Sequence, residues 1–290
     1  MSRQPPMWPI GPFHINLYGL AMGAGLLVGL FIALSEARRR GEDEDAFTTA
    51  ITIAVVAGLA GARLLYVMLN LGIYAAEPAA ILRLWDGGLS LIGALIGGGL
   101  ALYLTARGLR LRPAVALDAA APAMAAGLAV GRVGCDLFGL PTTLPWAVNI
   151  AGQWVHPAQA YEIITDGLLF LWLWSRRWAA GPGVRIRPGL QLARFIGGYA
   201  ILRFLVEFTR EPRGALWLSP AQWVSVAAAS AAVVWVRAGK GLPAPALKPE
   251  PAPDLVQRLP LWGWALFIPL LLVLYFALNA GQAPWSRILS

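Results

Sequence analysis

Four arginines and a glutamate lie within or beside stretches that are otherwise apolar enough for a lipid bilayer: Arg63, Arg132, Arg203, Glu207 and Arg210. Arg203, Glu207 and Arg210 follow an i, i+4, i+7 spacing, which places them on one helix face. A charge at mid-bilayer depth costs about 2.5–3.5 kcal/mol on insertion scales, so such residues indicate function. Because guanidinium groups are planar, bidentate and permanently charged, this set predicts a site for an anionic lipid headgroup.

A second group of polar residues marks the start of another predicted helix. The run His156-Pro157-Ala158-Gln159-Ala160-Tyr161-Glu162 puts Pro157 in a first helical turn, where its missing N–H costs nothing. A helix N-terminus also offers free N–H groups and the positive end of the helix dipole to an anion. Tyr18 begins the first predicted helix and Asp86 precedes the third, at the same side of the membrane. We therefore expect Tyr18, Asp86, His156, Gln159 and Glu162 to surround the arginines.

The composition is that of an integral membrane protein. Of the 290 residues, 58% are hydrophobic and 13% are charged, against about 25% charged residues in soluble domains. Runs without Asp, Glu, Lys or Arg reach the length that spans a bilayer: Pro12 to Ser35, Leu89 to Ala106, Gly214 to Val236 and Leu259 to Ser286. The chain is predicted to be an all-α, polytopic protein.

Hydropathy and turn signals predict eight spans, with approximate bounds 15–35, 48–69, 89–106, 115–131, 160–176, 190–209, 219–236 and 261–279. Residues 1–237 form a membrane-embedded domain with seven of them. A Pro-rich linker, 238–260, is expected to be extended and cytoplasmic, and 261–290 carries an additional C-terminal span. Glycines four residues apart, Gly19/Gly23 and Gly25/Gly29, favour close helix packing in the first span.

The basic residues predict the orientation. Fourteen of the 23 Lys and Arg residues fall in predicted loops on one side and six on the other. Since positively charged loops stay in the cytoplasm, the N-terminus is predicted to lie outside. Arg63, Arg132, Arg203 and Arg210 then meet at the outer leaflet. The basic residues are scattered among loops, so the net charge of +8 does not indicate nucleic-acid binding.

Purely structural pairing is the alternative for each arginine. Arg203 could pair with Glu207 on its own helix, Arg132 with Asp136, and Arg63 with Asp86 or Glu162. The sequence shows no metal-ligand spacing and no nucleotide-binding loop, so no metal or cofactor is expected. Cys135, the single cysteine, has no base beside it in sequence and is expected to be a packing residue.

Several segments, in their order along the chain, resemble the prolipoprotein diacylglyceryl transferases of bacteria. They are Leu17-Tyr18-Gly19-Leu20, Gly61-Ala62-Arg63-Leu64-Leu65-Tyr66, Trp85-Asp86-Gly87-Gly88-Leu89-Ser90, Gly131-Arg132-Val133-Gly134, the His156 to Glu162 run, Arg203-Phe204-Leu205-Val206-Glu207-Phe208 and Arg210-Glu211-Pro212. The Trp-Asp-Gly-Gly, His-Pro-x-Gln-x-Tyr-Glu and Arg-Phe-x-x-Glu-Phe blocks are specific in combination. The likeness covers about residues 10 to 237.

The resemblance implies a seven-helix enzyme of the bacterial inner membrane that needs no cofactor. It would move the diacylglyceryl group of phosphatidylglycerol to the thiol of a lipobox cysteine in the signal peptide of a secreted prolipoprotein, giving a thioether and glycerol phosphate. The resemblance also implies that Arg132 binds the lipid phosphate, and that Arg203 with Glu207 stabilises the departing glycerol phosphate. His156 would join these two as a catalytic residue, and the substrate-binding shell would comprise Tyr18, Arg63, Asp86, Gln159, Glu162 and Arg210.

This chain departs from the family's pattern in a short loop between the fourth and fifth spans, in the appended eighth span, and at two places in the motifs. Ile92 stands where a His or Tyr is usual, and the stretch after Arg132 continues with Gly134-Cys135-Asp136. The base that accepts the thiol proton could therefore be Glu207, His156 or Asp136. The departures also motivate two rival hypotheses: a non-catalytic or repurposed relative that binds anionic lipid and a partner protein, and a small-anion transporter built around the same arginines.

Overall fold

The computed structural model of this chain describes residues 7–10, 13–84, 87–178, 187–210, 217–238, 256 and 259–278. The side chains of 7–16 are not among those described. The helices are α1 (Leu17–Arg39), α2 (Glu44–Leu69), α3 (Leu71–Ala76), α4 (Leu91–Gly108), α5 (Pro113–Gly131), α6 (Ala158–Trp178), α7 (Leu190–Glu207), α8 (Pro220–Ala238), α9 (Leu261–Ala265) and α10 (Phe267–Leu278). Single 3₁₀ turns cover Pro78–Leu82 and Arg132–Gly134.

The predicted all-α, polytopic architecture is confirmed. A helical segment occupies each of the eight predicted spans, with ends displaced by up to four residues. The largest displacement at a helix start is at α2, whose Asp43 side chain accepts a hydrogen bond from the Ala46 N–H at 2.8 Å and so begins the helix early. Within the described residues, six segments are long and apolar enough to cross a membrane; the long helices α6 and α7 carry more ionisable residues.

Two helix pairs pack at backbone contact distance through glycine. A Cβ added to Gly25 of α1 would lie 2.5 Å from the carbonyl oxygen of Gly127 in α5, and one added to Gly29 would lie 3.2 Å from that of Ala123. In α2, a Cβ on Gly61 would lie 2.6 Å from the carbonyl oxygen of Gly93 in α4. The Gly25/Gly29 pair thus allows the close helix packing that the sequence predicted. Among the described residues no atom lies within 4 Å of a Cβ added to Gly23, so the close packing predicted at that glycine is not found there.

A buried polar group fixes the start of α7 to the rest of the bundle. Asp118 of α5 is fully buried, and its carboxylate accepts hydrogen bonds from the N–H groups of Gly189 (2.9 Å) and Leu192 (2.8 Å). Arg40 lies 3.7 Å from Asp118 and 3.4 Å from Glu36, and Arg39 donates two hydrogen bonds to Glu36. We call Glu36, Arg39, Arg40 and Asp118 the Asp118 cluster.

The last span is divided into α9 and α10. Pro269 has no N–H with which to bond the Ala265 carbonyl, and its ring clashes with that carbonyl, so the helix is interrupted near Leu266. The predicted linker, 238–260, lies almost entirely outside the described residues, and its extended form stays a prediction. Two antiparallel hairpins complete the described chain: β1 (Met7–Ile10) with β2 (Phe13–Asn16), and β3 (Val148–Ile150) with β4 (Gln153–Val155).

Candidate active site

Three arginines, one from the turn after α5 and two from the end of α7, meet at one carboxylate. Glu162 lies in the second turn of α6 and is 4% exposed. Its Oε1 accepts a hydrogen bond from Arg210 Nη1 at 2.7 Å and lies 3.7 Å from Arg203 Nη1, while its Oε2 lies 3.1 Å from Arg132 Nε. Because each guanidinium group carries five N–H donors and a shared carboxylate uses few of them, the arrangement can still accept an anionic group.

Glu207 holds Arg203 in place from the last turn of α7. Its Oε2 lies 2.6 Å from Arg203 Nη1, one helical turn back, as the i, i+4 spacing predicted. Its Oε1 accepts a hydrogen bond from the Ser219 hydroxyl at 3.0 Å, just before α8 begins. Glu207 is 2% exposed, so an ion pair and a hydroxyl fix its position within the protein interior.

Asp166 and Tyr199 belong to the same site, although sequence reasoning missed both. Asp166 lies one turn beyond Glu162, 2% exposed, with Oδ2 4.0 Å from Arg132 Nε. Tyr199 lies one turn before Arg203, within electrostatic range of Arg132 and Asp166. The i±4 spacing to a recognised residue was the signal that could have found them. We call Arg132, Glu162, Asp166, Tyr199, Arg203, Glu207 and Arg210 the Glu162 cluster.

Buried polar atoms in this cluster lack hydrogen bonds. Within the described part of the chain, the buried atoms without a partner of hydrogen-bond geometry include Arg132 Nε, Asp166 Oδ2, Tyr199 OH, Arg203 Nη1 and Glu207 Oε2. Four of them are in ion pairs whose geometry is too poor for a hydrogen bond. Since buried polar groups are nearly always satisfied in native proteins, the poor hydrogen-bond geometry of these pairs leaves capacity that a polar ligand can use.

His156 lies next to the cluster, held by a short backbone network. Its N–H donates to the Leu140 carbonyl at 2.9 Å, and the Leu140 N–H donates to the Thr209 carbonyl at 2.8 Å, beside Arg210. The ring Nδ1 lies 3.1 Å from the Tyr161 hydroxyl, which accepts a hydrogen bond from Trp146 Nε1 at 2.8 Å. Burial lowers the pKa of His156 below the ordinary 6.5, so the ring is neutral at pH 7 and able to accept a proton.

The chain that follows Arg132 packs between Gln159 and the start of α1. Gln159 is fully buried and donates from Nε2 to the Cys135 carbonyl at 3.2 Å. A Cβ on Gly134 would lie 2.9 Å from the Tyr18 Cα, so the two backbones touch. Burial raises the pKa of the Cys135 thiol, which therefore stays protonated at neutral pH, as expected of a packing residue.

Arg63 lies apart from these residues. It is 5% exposed, and its guanidinium donates five hydrogen bonds of 2.6–3.1 Å to backbone carbonyls: those of Ala80, Ile81, Arg83, Gly87 and Gly88. The ring centroid of Tyr74 lies 5.1 Å from its Cζ. Arg63 thus fixes the segment that leads into α4. Asp86, predicted to bind substrate, lies outside the described residues.

Pairings considered from the sequence are resolved in part. The Arg203–Glu207 pair forms. Arg132 faces Glu162 and Asp166, and Arg63 binds the carbonyls of the segment on either side of Asp86. Arg132, Arg203, Arg210 and Glu162 are therefore brought together, with Glu207 behind them and His156 and Gln159 at the flanks, whereas the described contacts of Arg63 lie elsewhere.

Comparison with known proteins decides the family. The sequence model described as prolipoprotein diacylglyceryl transferase matches residues 5–237. The chain belongs to this family. The matched range contains the seven helices from α1 to α8 that are long enough to span, together with the whole Glu162 cluster, and it ends before α9.

Individual relatives agree with the family match. The chain is 33% identical to a phosphatidylglycerol–prolipoprotein diacylglyceryl transferase of Synechococcus elongatus, over 81% of this chain and 88% of that protein. It is 36% identical to one of Nitratidesulfovibrio vulgaris (75% and 84% covered) and 35% identical to one of Bordetella parapertussis (75% and 88% covered). The resemblance found in the sequence is thereby confirmed, as is the assignment as a multi-pass bacterial membrane transferase.

Proposed function

We propose that this chain transfers the diacylglyceryl group of phosphatidylglycerol to the thiol of a lipobox cysteine in a secreted prolipoprotein. In the reaction a carbon–sulfur bond forms at the glycerol carbon that bears the phosphate, and the carbon–oxygen bond to that phosphate breaks. The products are the thioether and glycerol phosphate, and the thiol proton passes to a base. The observation that carries the proposal is the Glu162 cluster, where three guanidinium groups converge on one carboxylate beside unsatisfied buried polar atoms.

Arg132 is the proposed ligand of the lipid phosphate. Its side chain is 15% exposed, and Glu162 and Asp166 hold it at one edge. A guanidinium group can bind a phosphate through two parallel N–H···O contacts while keeping carboxylate contacts at another edge. Tyr18, at the start of α1, lies within electrostatic range of Arg132 and Cys135, where its hydroxyl can donate to the same headgroup.

Arg203 is the proposed stabiliser of the leaving group. Negative charge develops on the phosphate oxygen as the carbon–oxygen bond breaks, and a fixed donor at that oxygen contributes about 3–4 kcal/mol. Glu207 and Glu162 fix the Arg203 side chain, which is 22% exposed. Arg210 and Gln159 complete the positive, hydrogen-bonding wall, while Arg63 would act through the segment around Asp86 that it holds.

His156 is the proposed base. A thiol of pKa about 8.5 has to lose its proton to attack carbon, and the neutral His156 ring offers a nitrogen that can accept it. Glu207 is less suited, because both of its carboxylate oxygens are already engaged, one by Arg203 at 2.6 Å and the other by the Ser219 hydroxyl at 3.0 Å.

The membrane side of the site is also a proposal. The excess of basic residues in alternate loops predicts that the N-terminus and the Glu162 cluster face outward. Phosphatidylglycerol would then enter from the outer leaflet with its headgroup against the arginines, and the signal peptide would present its cysteine from the same side. An N-terminal tag protected from a membrane-impermeant protease in intact cells would contradict this orientation.

Transfer to a lipobox peptide in membranes is the direct test. Membranes containing this chain and phosphatidylglycerol are expected to convert the peptide to its thioether form. Arg132→Ala and Arg203→Ala should each lower the rate at least 100-fold with normal insertion, whereas Arg107→Ala, an exposed arginine of α4, should retain it. No conversion by the parent chain at matched expression would contradict the proposal, and near-normal rates in both site variants would contradict the residue assignment.

A non-catalytic relative that binds anionic lipid is the second candidate. Ile92, in the first turn of α4, is 45% exposed and can neither donate nor accept a hydrogen bond. This candidate predicts that phosphatidylglycerol is retained through detergent purification and that no peptide is converted. The same membranes therefore distinguish the two functions.

A further inference from the structure

The last helix packs directly against the helix that carries Glu162. A Cβ added to Gly167 of α6 would lie 2.7 Å from Ile268 Cγ1 of α10. Leu271 is 5% exposed and Tyr275 is fully buried, within an apolar cluster that includes Val133 and Ile163. Since the family match ends at residue 237, α10 adds side chains to this region from outside the shared domain.

The Tyr275 hydroxyl is the polar group that α10 places there. It donates to Gln159 Oε1 across 3.4 Å, and Gln159 Nε2 in turn donates to the Cys135 carbonyl at 3.2 Å. Both side chains are fully buried. A glutamine amide has one acceptor end and one donor end, so the donor from Tyr275 selects the orientation in which the amide N–H groups point at Cys135. Tyr275 also lies within electrostatic range of Asp136 and Cys135.

Gln159 and Cys135 connect this contact to the phosphate-binding arginine. Cys135 follows the 3₁₀ turn Arg132–Gly134, and its N–H donates to the Arg132 carbonyl at 3.2 Å. A shift of the Cys135 carbonyl therefore moves the backbone from which Arg132 projects toward Glu162. Displacements of an ångström at such a site are enough to alter its function strongly.

We propose that Tyr275 of the appended helix is a positioning residue of the lipid-phosphate site, acting through Gln159 on the Cys135 carbonyl and thereby on Arg132. The expected change in the KM for phosphatidylglycerol rests on the proposed function. Its structural consequence, the restraint of the segment at Cys135, does not depend on activity. The additional span is in this view a part of the site rather than a separate anchor.

The kinetic test compares Tyr275→Phe, which removes only the hydroxyl, with Leu274→Ala, a neighbouring residue that is 46% exposed. Tyr275→Phe is expected to raise the KM for phosphatidylglycerol about three- to tenfold, the range of one hydrogen bond, with the KM for the peptide unchanged. A merely structural role would lower the amount of active enzyme and hence kcat, with both KM values constant. In a Gln159→Leu background the effect of Tyr275→Phe should disappear, and an undiminished effect there would overturn the proposed route.

Cys135 provides a readout that needs no activity. As the single cysteine of the chain, with a pKa raised by burial, it should react slowly with N-ethylmaleimide. Tyr275→Phe is expected to increase this rate at least threefold, and Leu274→Ala to leave it unchanged. If Tyr275→Phe is labelled faster than the parent chain but the parent chain transfers nothing, the proposed function is refuted and the positioning role is retained. Labelling of Tyr275→Phe at the parent rate overturns the positioning role whatever the kinetics show.

Discussion

The two ends of α5 carry buried charged clusters of different character. The Asp118 cluster lies near its start and the Glu162 cluster at its end, about 20 Å apart at 1.5 Å per residue. Asp118 bonds two backbone N–H groups, and Glu36 accepts paired hydrogen bonds from Arg39. Within the described residues, no buried side-chain atom of the Asp118 cluster lacks a hydrogen-bond partner, whereas five such atoms of the Glu162 cluster do.

This difference separates structural charge from functional charge. Both clusters are buried in a protein of membrane-spanning helices, so burial and charge alone do not distinguish them. A cluster whose hydrogen bonds are complete is expected to hold helices together, because it has no spare buried donor or acceptor for a ligand. One with buried donors and acceptors to spare holds its shape and can also bind a ligand, because the unsatisfied atoms gain most from a new partner.

Glu162→Gln is expected to have the largest effect, because it tests the cluster at its centre. A neutral amide cannot balance three guanidinium groups, so Arg132, Arg203 and Arg210 should move apart. Misplacement of groups that must align with the substrate costs about 100-fold in rate. Transfer by purified protein in phosphatidylglycerol vesicles measures the loss, and a variant with more than half the parent rate would show that Glu162 does not organise the site.

His156→Gln is expected to lower the transfer rate by about 100-fold, the lower end for loss of a general base. The base acts in its neutral form, so the parent rate should fall as the pH drops through the pKa of His156. Because burial lowers that pKa, the fall should come below pH 6.5. A pH–rate profile of both proteins tests this, and an acid limb above pH 6.5, or one that persists in the variant, would exclude His156.

Asp118→Asn tests the other side of the comparison. It leaves Arg40 with Glu36 as its one remaining carboxylate within the Asp118 cluster and turns an acceptor of backbone N–H groups into a partial donor, so the free energy of unfolding should fall by about 3 kcal/mol. Thermal unfolding in detergent should show the loss. The kcat per folded molecule should stay within twofold of the parent value, and a large drop in kcat would mean that the Asp118 cluster also takes part in function.

Tyr199→Phe is expected to have the smallest effect on folding. Its hydroxyl has no hydrogen-bond partner within the described residues, so its removal should change the unfolding free energy by less than about 0.5 kcal/mol. If that hydroxyl donates a hydrogen bond to the lipid headgroup, its removal should lower kcat/KM for the lipid about tenfold, the range of a hydrogen bond to a charged group. Unchanged kinetics with reduced stability would assign it to packing.

Much of the fold could be predicted from the sequence, because bilayer insertion is read from local hydropathy. A helical segment lies at each of the eight predicted spans, and within the described residues six segments are long and apolar enough to cross a membrane, because apolar runs are visible without any tertiary information. The interruption of the last span at Leu266 and the hairpin of β3 and β4 were missed. The first depends on one proline within a strongly apolar run, and the second on three-residue strands too short to show an alternating pattern.

The candidate site was predictable where its residues share one helix face. The pairing of Arg203 with Glu207 follows from their i, i+4 spacing. Arg132, Glu162 and Arg210 could be assigned to the same end of the bundle, because successive spans run in alternating directions. The partners of Arg63 could not be predicted in this way. They are backbone carbonyls of an irregular segment, and carbonyls are present at every residue, so nothing in the sequence marks those that a guanidinium will reach.

The sequence by itself determined that this chain is a helical membrane protein, where its helical segments lie, and which charges fall within or beside them. It did so because hydropathy, helix periodicity and charge bias act over neighbouring residues. Only the tertiary structure decided that three of those arginines share Glu162, that Tyr199 and Asp166 join them, and that Tyr275 reaches Gln159 over 116 residues of sequence. These contacts depend on how glycine faces and apolar surfaces let separate helices approach, which no local pattern specifies.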